Sequence, residues 1–140
     1  DGVLWFPCGA EDKEARLDAY FRNCANRVAC ALVYEPAAGR CADAFEGAGQ
    51  LYGAVNSAYH AVREHMERSR VLSGDRGIVW TGHDPDVQVL WSFRPFAWRV
   101  GPRAQVFDVM AAAPVPAKEG MFKPLARRVY LVQDGKPPRA

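Results

Sequence analysis

The sequence has no cysteine after Cys41, although four cysteines lie within its first 41 residues. No two of them have the CxxC spacing that is typical of zinc and thiol-redox sites. An even number of cysteines confined to one segment instead predicts two disulfides and an oxidising compartment. The pairing is left open among the four residues concerned, which are Cys8, Cys24, Cys30 and Cys41.

Other absences exclude further classes of protein. No apolar run approaches the ~20 residues that a membrane-spanning helix needs, so no membrane span is predicted. The HExxH, HxxEH, GxSxG and P-loop patterns are all missing. The glycines Gly47, Gly49 and Gly53 follow a GxGxxxG spacing with no strand directly before it, which argues against dinucleotide binding. We therefore predict no metal and no cofactor.

The composition is that of one ordinary globular domain. The chain has 140 residues, of which 49% are hydrophobic and 24% charged, and its net charge is +2. So small an excess of positive charge gives nucleic-acid binding little support, and another protein is the predicted partner. We predict a single domain over 1–140, with a disulfide-clamped lobe at about 1–42 and a frayed tail at about 135–140.

Apolar residues recur at helical spacing in the first half of the chain. One such pattern predicts a helix from Glu11 to about Asn26, and Val28–Tyr34 then has the character of a short strand. A longer seam, from Phe45 to Met66, predicts an amphipathic helix over roughly Asp43–Arg70.

The pattern changes to strand-like alternation beyond Asp75. A long segment with three prolines, Ala113–Pro124, is predicted to be a surface loop. The predicted fold class is therefore α+β: an N-terminal helix, a short strand, and a long amphipathic helix packed on an antiparallel sheet of about four to five strands. The strands predicted for this sheet are Ile78–His83, Val87–Arg94, Ala104–Ala111 and Arg127–Gln133.

The histidines are the natural starting point for catalysis. His60 and His65 are five residues apart, so they do not share a helix face that could hold one metal ion. His83 precedes Asp84-Pro85-Asp86, which fits a hairpin turn better than an oriented general base. Whether the chain is an enzyme is left open, with the balance against it. The candidates for catalysis are His83, His60, Glu64, Arg94 and Arg99.

Aromatic and arginine side chains are densest between Trp91 and Arg99. The stretch fits either the core face of a strand or a stacking platform for bases or sugars, and the core is favoured. Trp98 lies beyond the bend expected at Pro95 and is the aromatic expected to turn outward. The candidates for binding are His83, Asp84, Asp86, Phe96, Trp98 and Arg99.

These observations lead to a secreted or lumenal protein-interaction domain without catalytic activity, such as an inhibitor, a receptor-type module or an accessory subunit. Loops held by a rigid scaffold are the expected binding surface. One alternative is a small extracellular hydrolase or toxin, nuclease-like, with His83 or His60 as general base. Another is an organellar subunit of a larger assembly, which would carry free thiols.

Overall fold

The computed structural model describes residues 3–7, 13–33 and 49–134. The chain divides into two compact units, Asp1–Tyr59 and His60–Ala140. It has helices and a mostly antiparallel sheet, so the predicted α+β class is confirmed. The predicted tail at 135–140 and the predicted start of the long helix at Asp43 lie outside the described residues. Within the described ranges, no helix has the length and apolar character to span a membrane.

The first unit contains a parallel pair of strands joined through a helix. β1 (Val3–Pro7) pairs with β2 (Ala29–Val33), with Val3 opposite Ala29 and Pro7 opposite Val33. Parallel neighbours need a crossover connection, and α1 (Lys13–Ala25) lies between them in the chain. β1 was not among the predicted elements, because Val3–Pro7 is short and ends in proline.

α1 is amphipathic, and a left-handed residue follows its C-terminal end. Its buried positions follow the predicted seam, and Asp18 pairs with Arg22 one turn later at 2.8 Å between Oδ2 and Nε. Arg27 has a φ of 56°, and the Val28 N–H bonds to the Asn23 carbonyl at 2.8 Å, so the last carbonyls of the helix are satisfied. The predicted seam consists of Leu17, Phe21, Cys24 and Val28; the first three are buried, as is Ala25, whereas Val28 lies beyond the helix and is half-buried.

α2 (Gly49–Val62) ends earlier than the sequence predicts. A 3-10 turn at Arg63–His65 follows it, and Arg68–Leu72 forms strand β3, so the predicted helix over roughly Asp43–Arg70 is wrong at its C-terminal end. The helical seam stops at the buried Met66, and the exposed residues beyond it have no apolar stripe to bury. Pairing with a neighbouring strand satisfies their backbone instead.

The second unit is built on a six-stranded antiparallel sheet, more than the four to five strands predicted. Its order is β3–β4–β5–β10–β7–β8. A second, two-stranded sheet pairs β6 (Trp98–Arg99) with β9 (Met121–Phe122). The remaining strands are β4 (Gly77–Thr81), β5 (Val87–Ser92), β7 (Gln105–Asp108), β8 (Ala113–Val115) and β10 (Arg128–Gln133).

The surface loop predicted over Ala113–Pro124 is therefore wrong in two places, since β8 and β9 both lie in it. Pro114 is compatible with β8 because this strand is the last of the sheet, where a missing backbone donor does not interrupt the ladder. Gly120 has a φ of 73°, and its carbonyl accepts from the Val100 N–H at 2.7 Å. This bond holds β9 beside β6.

The main core lies on one face of the six-stranded sheet, which we name the Tyr130 face. Phe122 joins Trp98 to Tyr130, with ring-centroid distances of 5.9 and 5.3 Å, so the small β6–β9 sheet covers this face. Leu90, which breaks the alternation of the sequence around it, points to this core because β5 is buried on both sides. The buried members are Leu72, Val79, Leu90, Val106, Phe122, Tyr130 and Val132.

The opposite side of the same sheet, which we name the Trp91 face, is only partly covered. Paired residues of neighbouring strands point to the same side, so a row of side chains crosses this face. Exposure rises along the row, from Val89 at 0% through the half-buried Leu131 to Phe107 at 39%. The row consists of Trp80, Val89, Leu131, Phe107 and Pro114.

Candidate functional site

A concave surface lies over the three neighbouring strands β10, β7 and β8, and we name it the apolar groove. Its cavity volume is about 560 Å³. Phe107 is its most prominent side chain, and the groove contains no charged residue although charged residues make up 24% of the chain. The lining residues are Ala104, Gln105, Val106, Phe107, Pro114, Val115, Leu131 and Gln133.

The strand register sets the size and the chemistry of this groove. Leu131, Phe107 and Pro114 lie opposite one another on three neighbouring strands, so they span two strand spacings, or about 9.6 Å. Gln105 and Gln133 are also paired, and they place two amides at one end. The result is an apolar strip about as wide as one α-helix, with hydrogen-bonding groups at one border.

A second cavity, of about 260 Å³, shares Ala104 with the first. We name it the polar pocket. It brings together Asp86 and Arg99, two of the residues predicted for binding, and adds Gln88 and Asp134, which were not predicted. The other lining residues are Pro85, Val100, Gly101, Ala104 and Val132.

Backbone contacts fix the carboxylate side of the polar pocket. The Asp134 N–H bonds to the Asp86 carbonyl at 2.8 Å, which ties the end of β10 to the start of β5. A Cβ on Gly101 would lie 3.0 Å from Asp134 Oδ1. Glycine at this position therefore leaves room for the Asp134 carboxylate against the chain that follows β6.

The segment Asp84–Val87 is the turn that the sequence favours over a catalytic site. The Val87 N–H bonds to the Asp84 carbonyl at 3.2 Å, and the Asp86 N–H bonds to Asp84 Oδ1 at 3.0 Å. Asp84 is thus occupied in holding the turn, as aspartates in turns commonly are. The turn directs Asp86 to the polar pocket.

Two of the three histidines, His83 and His65, each lie beside a glutamate. The His83 side chain is 77% exposed, with Nδ1 3.7 Å from Glu67 Oε1. His65 Nε2 is 3.5 Å from Glu64 Oε1, and a Cβ on Gly82 would lie 3.0 Å from the His65 Cα, so these two chain segments are close. His60 is exposed in the last turn of α2. Among the described residues, no group of three or more His, Cys, Asp or Glu could hold a metal ion.

The aromatic candidates belong to the covered side of the sheet. Phe96 and Trp98 are half-buried and pack against the core of the Tyr130 face, so Trp98 does not turn outward as the Pro95 bend suggested. The Arg76 guanidinium carbon lies 5.5 Å from the centroid of the Phe96 ring, a cation–π contact. Arg94 is exposed, and its carbonyl accepts from the buried Ser92 Oγ at 3.0 Å.

The disulfide prediction falls mostly outside the described part of the chain. Cys24 is buried in α1. Cys8 and Cys41 lie outside the described residues, and Cys30 is described only as a backbone position in β2 opposite Leu4. Both the presence and the pairing of the disulfides therefore stay predictions.

Sequence reasoning missed the residues that open the apolar groove. In β7 the neighbours Val106 and Phe107 are both apolar, although neighbouring strand residues point to opposite faces. Two adjacent apolar residues in so short a strand indicate that both faces of the strand carry apolar side chains that can be buried. That signal was available, but the sequence does not reveal that β7 lies near the border of the sheet.

No protein family and no curated protein matches this chain in sequence. Among solved structures, the chain is similar to one from Bacillus halodurans whose provisional assignment is an alpha-N-acetylgalactosaminidase. The TM-score is 0.53 at 10% identity, and the match covers 90% of this chain and 33% of the other. The chain thus spans about a third of the length of that protein, and the likeness concerns the fold alone.

Proposed function

We propose that this chain is a non-catalytic protein-interaction domain that binds the apolar face of a partner helix in the apolar groove. The observation that carries the proposal is Phe107, a large apolar side chain 39% exposed in a groove without charged residues. Exposed apolar surface rimmed by polar groups is typical of sites that another protein covers.

A helix suits this groove better than an extended segment. The apolar strip from Leu131 to Pro114 is about 9.6 Å wide, close to the diameter of an α-helix. Pro114 has no N–H, so β8 lacks one of the backbone donors that would hydrogen-bond to an added strand. Since no charged side chain lines the groove, an apolar helix stripe would bury it without leaving an unpaired charge.

Site-directed photo-crosslinking tests the proposal, with a crosslinker placed at position 107 and exposure to an extract of the native source. The expected product joins position 107 to an apolar helical segment of a different protein, identified by mass spectrometry. A crosslinker at position 105 should give a product with the same segment, and Phe107→Ser in that variant should abolish it, because the apolar contact is removed while Gln133 is kept.

Val71 provides the matched control. It is 71% exposed and on the same face of the sheet, but lies in β3 at the opposite border. Val71→Ser should leave the product unchanged. A crosslink only to a second copy of this chain, or the same loss with both serine variants, would contradict the proposal.

The predicted secreted or lumenal location, with two disulfides clamping the first lobe, also remains a proposal. Titration of thiols in the unfolded, unreduced protein tests it directly. The absence of reactive thiols would support it, while four thiols would favour the organellar alternative. The packing of a long amphipathic helix on the sheet is likewise still proposed. Cysteine pairs placed across the two elements would test it by crosslinking.

A small hydrolase is the second candidate, and the contact between His83 and Glu67 is what favours it. A carboxylate 3.7 Å from Nδ1 could orient the ring so that Nε2 acts as general base. His83→Ala should then abolish hydrolysis of RNA or simple esters, and Glu67→Gln should reduce it. His60→Ala tests His60, the other residue predicted as general base, in the same assay. Activity that survives both histidine changes would eliminate this candidate.

A further inference from the structure

The polar pocket contains opposite charges that do not neutralise each other. Arg99, Asp86 and Asp134 all line this cavity of about 260 Å³, and Asp86 has an interaction of its own. Within the described part of the chain, neither the Arg99 guanidinium nor the Asp134 carboxylate forms an ion pair or a side-chain hydrogen bond. A ligand that carries one charge of each sign could therefore pair with both of them.

The rest of the pocket supplies a floor and a polar side wall. Val100, Ala104 and Val132 are apolar and at least partly buried, and they pack in or against the core of the Tyr130 face. Gln88 contributes an amide that both donates and accepts. The floor suits a small aliphatic group, and the rim suits one anion and one cation close together.

We infer that the polar pocket binds a small zwitterion of the α-amino-acid class. The ligand carboxylate pairs with Arg99, whose planar guanidinium accommodates a carboxylate through two parallel hydrogen bonds. The ligand ammonium pairs with Asp134, and the aliphatic side chain lies on Val132 and Ala104. This site is distinct from the proposed helix-binding groove, although the two share Ala104.

The affinity should be modest, because Arg99 and Asp134 are exposed and water competes for both charges. A dissociation constant in the millimolar range is expected. Because binding is weak, comparing ligands that carry one charge with a ligand that carries both is more informative than the dissociation constant itself.

The test is an NMR titration with L-valine that follows the amides of Val100, Gly101 and Asp134. Isobutylamine and 3-methylbutanoate are matched probes, since each keeps the aliphatic group and one charge only. L-valine should give saturable shifts, and each analogue should bind about tenfold more weakly or worse, because one charged hydrogen bond is lost. Arg99→Gln and Asp134→Asn should each weaken L-valine by a similar factor.

Arg103→Gln is the matched control, because Arg103 is exposed nearby but does not line the pocket. It should leave the titration unchanged. Shifts that do not saturate, equal binding of L-valine and its analogues, or a loss in Arg103→Gln equal to that in Arg99→Gln would each overturn the inference. Phe107→Ser should leave L-valine binding intact, so this result is independent of the proposed helix partner.

Discussion

The strands β5 and β7 place an aromatic residue on the same face of one sheet, yet the two residues have very different surroundings. Trp91 in β5 is 0% exposed, whereas Phe107 in β7 is 39% exposed. β5 lies between β4 and β10, and both of its faces are covered. β7 has the core of the Tyr130 face on one side only. The difference separates aromatic surface that is used to stabilise the fold from aromatic surface that is partly in water, which we propose for binding.

The comparison can be tested first by removing each aromatic. Trp91→Ala should lower the free energy of unfolding by about 3–5 kcal/mol, as expected for a fully buried large side chain. Phe107→Ala should lower it by about 1–2 kcal/mol, because more than a third of that side chain is already in water. Urea unfolding followed by circular dichroism measures both. Equal losses would show that Phe107 belongs to the folding core and not to a free surface.

The contrast between these strands also explains which strands could be predicted from the sequence and which could not. The alternation of Val87, Val89 and Trp91 predicted β5, because a central strand concentrates its signal in consecutive residues. β3 was missed, because the pattern beyond Met66 contains no apolar periodicity and the strand forms only through pairing with β4. Strands that depend on a neighbour carry little signal of their own.

The candidate sites follow the same rule. Asp86 and Arg99 were predicted for binding, since a turn and an arginine near aromatics are visible in the sequence. Asp134 and Phe107 were not, because their positions at the two cavities depend on the register of β10 with β7 and on the close approach of Gly101. Residues far apart in sequence come together only through long-range pairing, which one sequence does not display.

A second test concerns the close backbone contact between β4 and the central strand β5. A Cβ on Gly77 would collide with the Trp91 carbonyl oxygen. Gly77→Ala should therefore cost about 1–3 kcal/mol through displacement of β4 from β5. Gly53 in α2 is the matched control, with no atom within 4 Å of its ideal Cβ. Gly53→Ala should stabilise the chain by up to about 1 kcal/mol, because alanine favours a helix. Stabilisation by both would refute the contact.

A third test examines the covered side of β7. Asp108 is 7% exposed, its Oδ1 accepts from the Ala111 N–H at 3.0 Å, and its Oδ2 is 3.6 Å from Arg128 Nη1. Asp108→Ala leaves the Ala111 N–H without this acceptor and should cost about 1–2 kcal/mol. Asp108→Asn keeps an acceptor oxygen and should cost less. Thermal unfolding of the two variants distinguishes them, and identical losses would assign the effect to charge alone.

The smallest expected effect is at Tyr130, where β7 and β10 meet. The Tyr130 hydroxyl accepts from the Leu125 N–H at 2.9 Å, so Tyr130→Phe should cost about 1 kcal/mol at neutral pH. Burial raises the pKa of Tyr130 above its ordinary value of 10.0, and the nearby Asp108 charge raises it further. Because the unfolded chain then releases this proton first, stability should be complete below pH 10 and fall as the pH rises towards the folded-state pKa.

Tyr130→Phe removes this titration, so its stability should decline less with alkaline pH than that of the parent protein, and the two curves should approach each other. Asp108→Asn should lie between them, since it keeps the buried phenol but removes the charge that opposes phenolate. Urea unfolding across this pH range measures all three. Parallel curves for the parent and Tyr130→Phe would mean that the phenol titrates alike in the folded and unfolded chains. In that case the Tyr130 face would be open to water beside β7, and the distinction between a covered and an open side of this strand would fail.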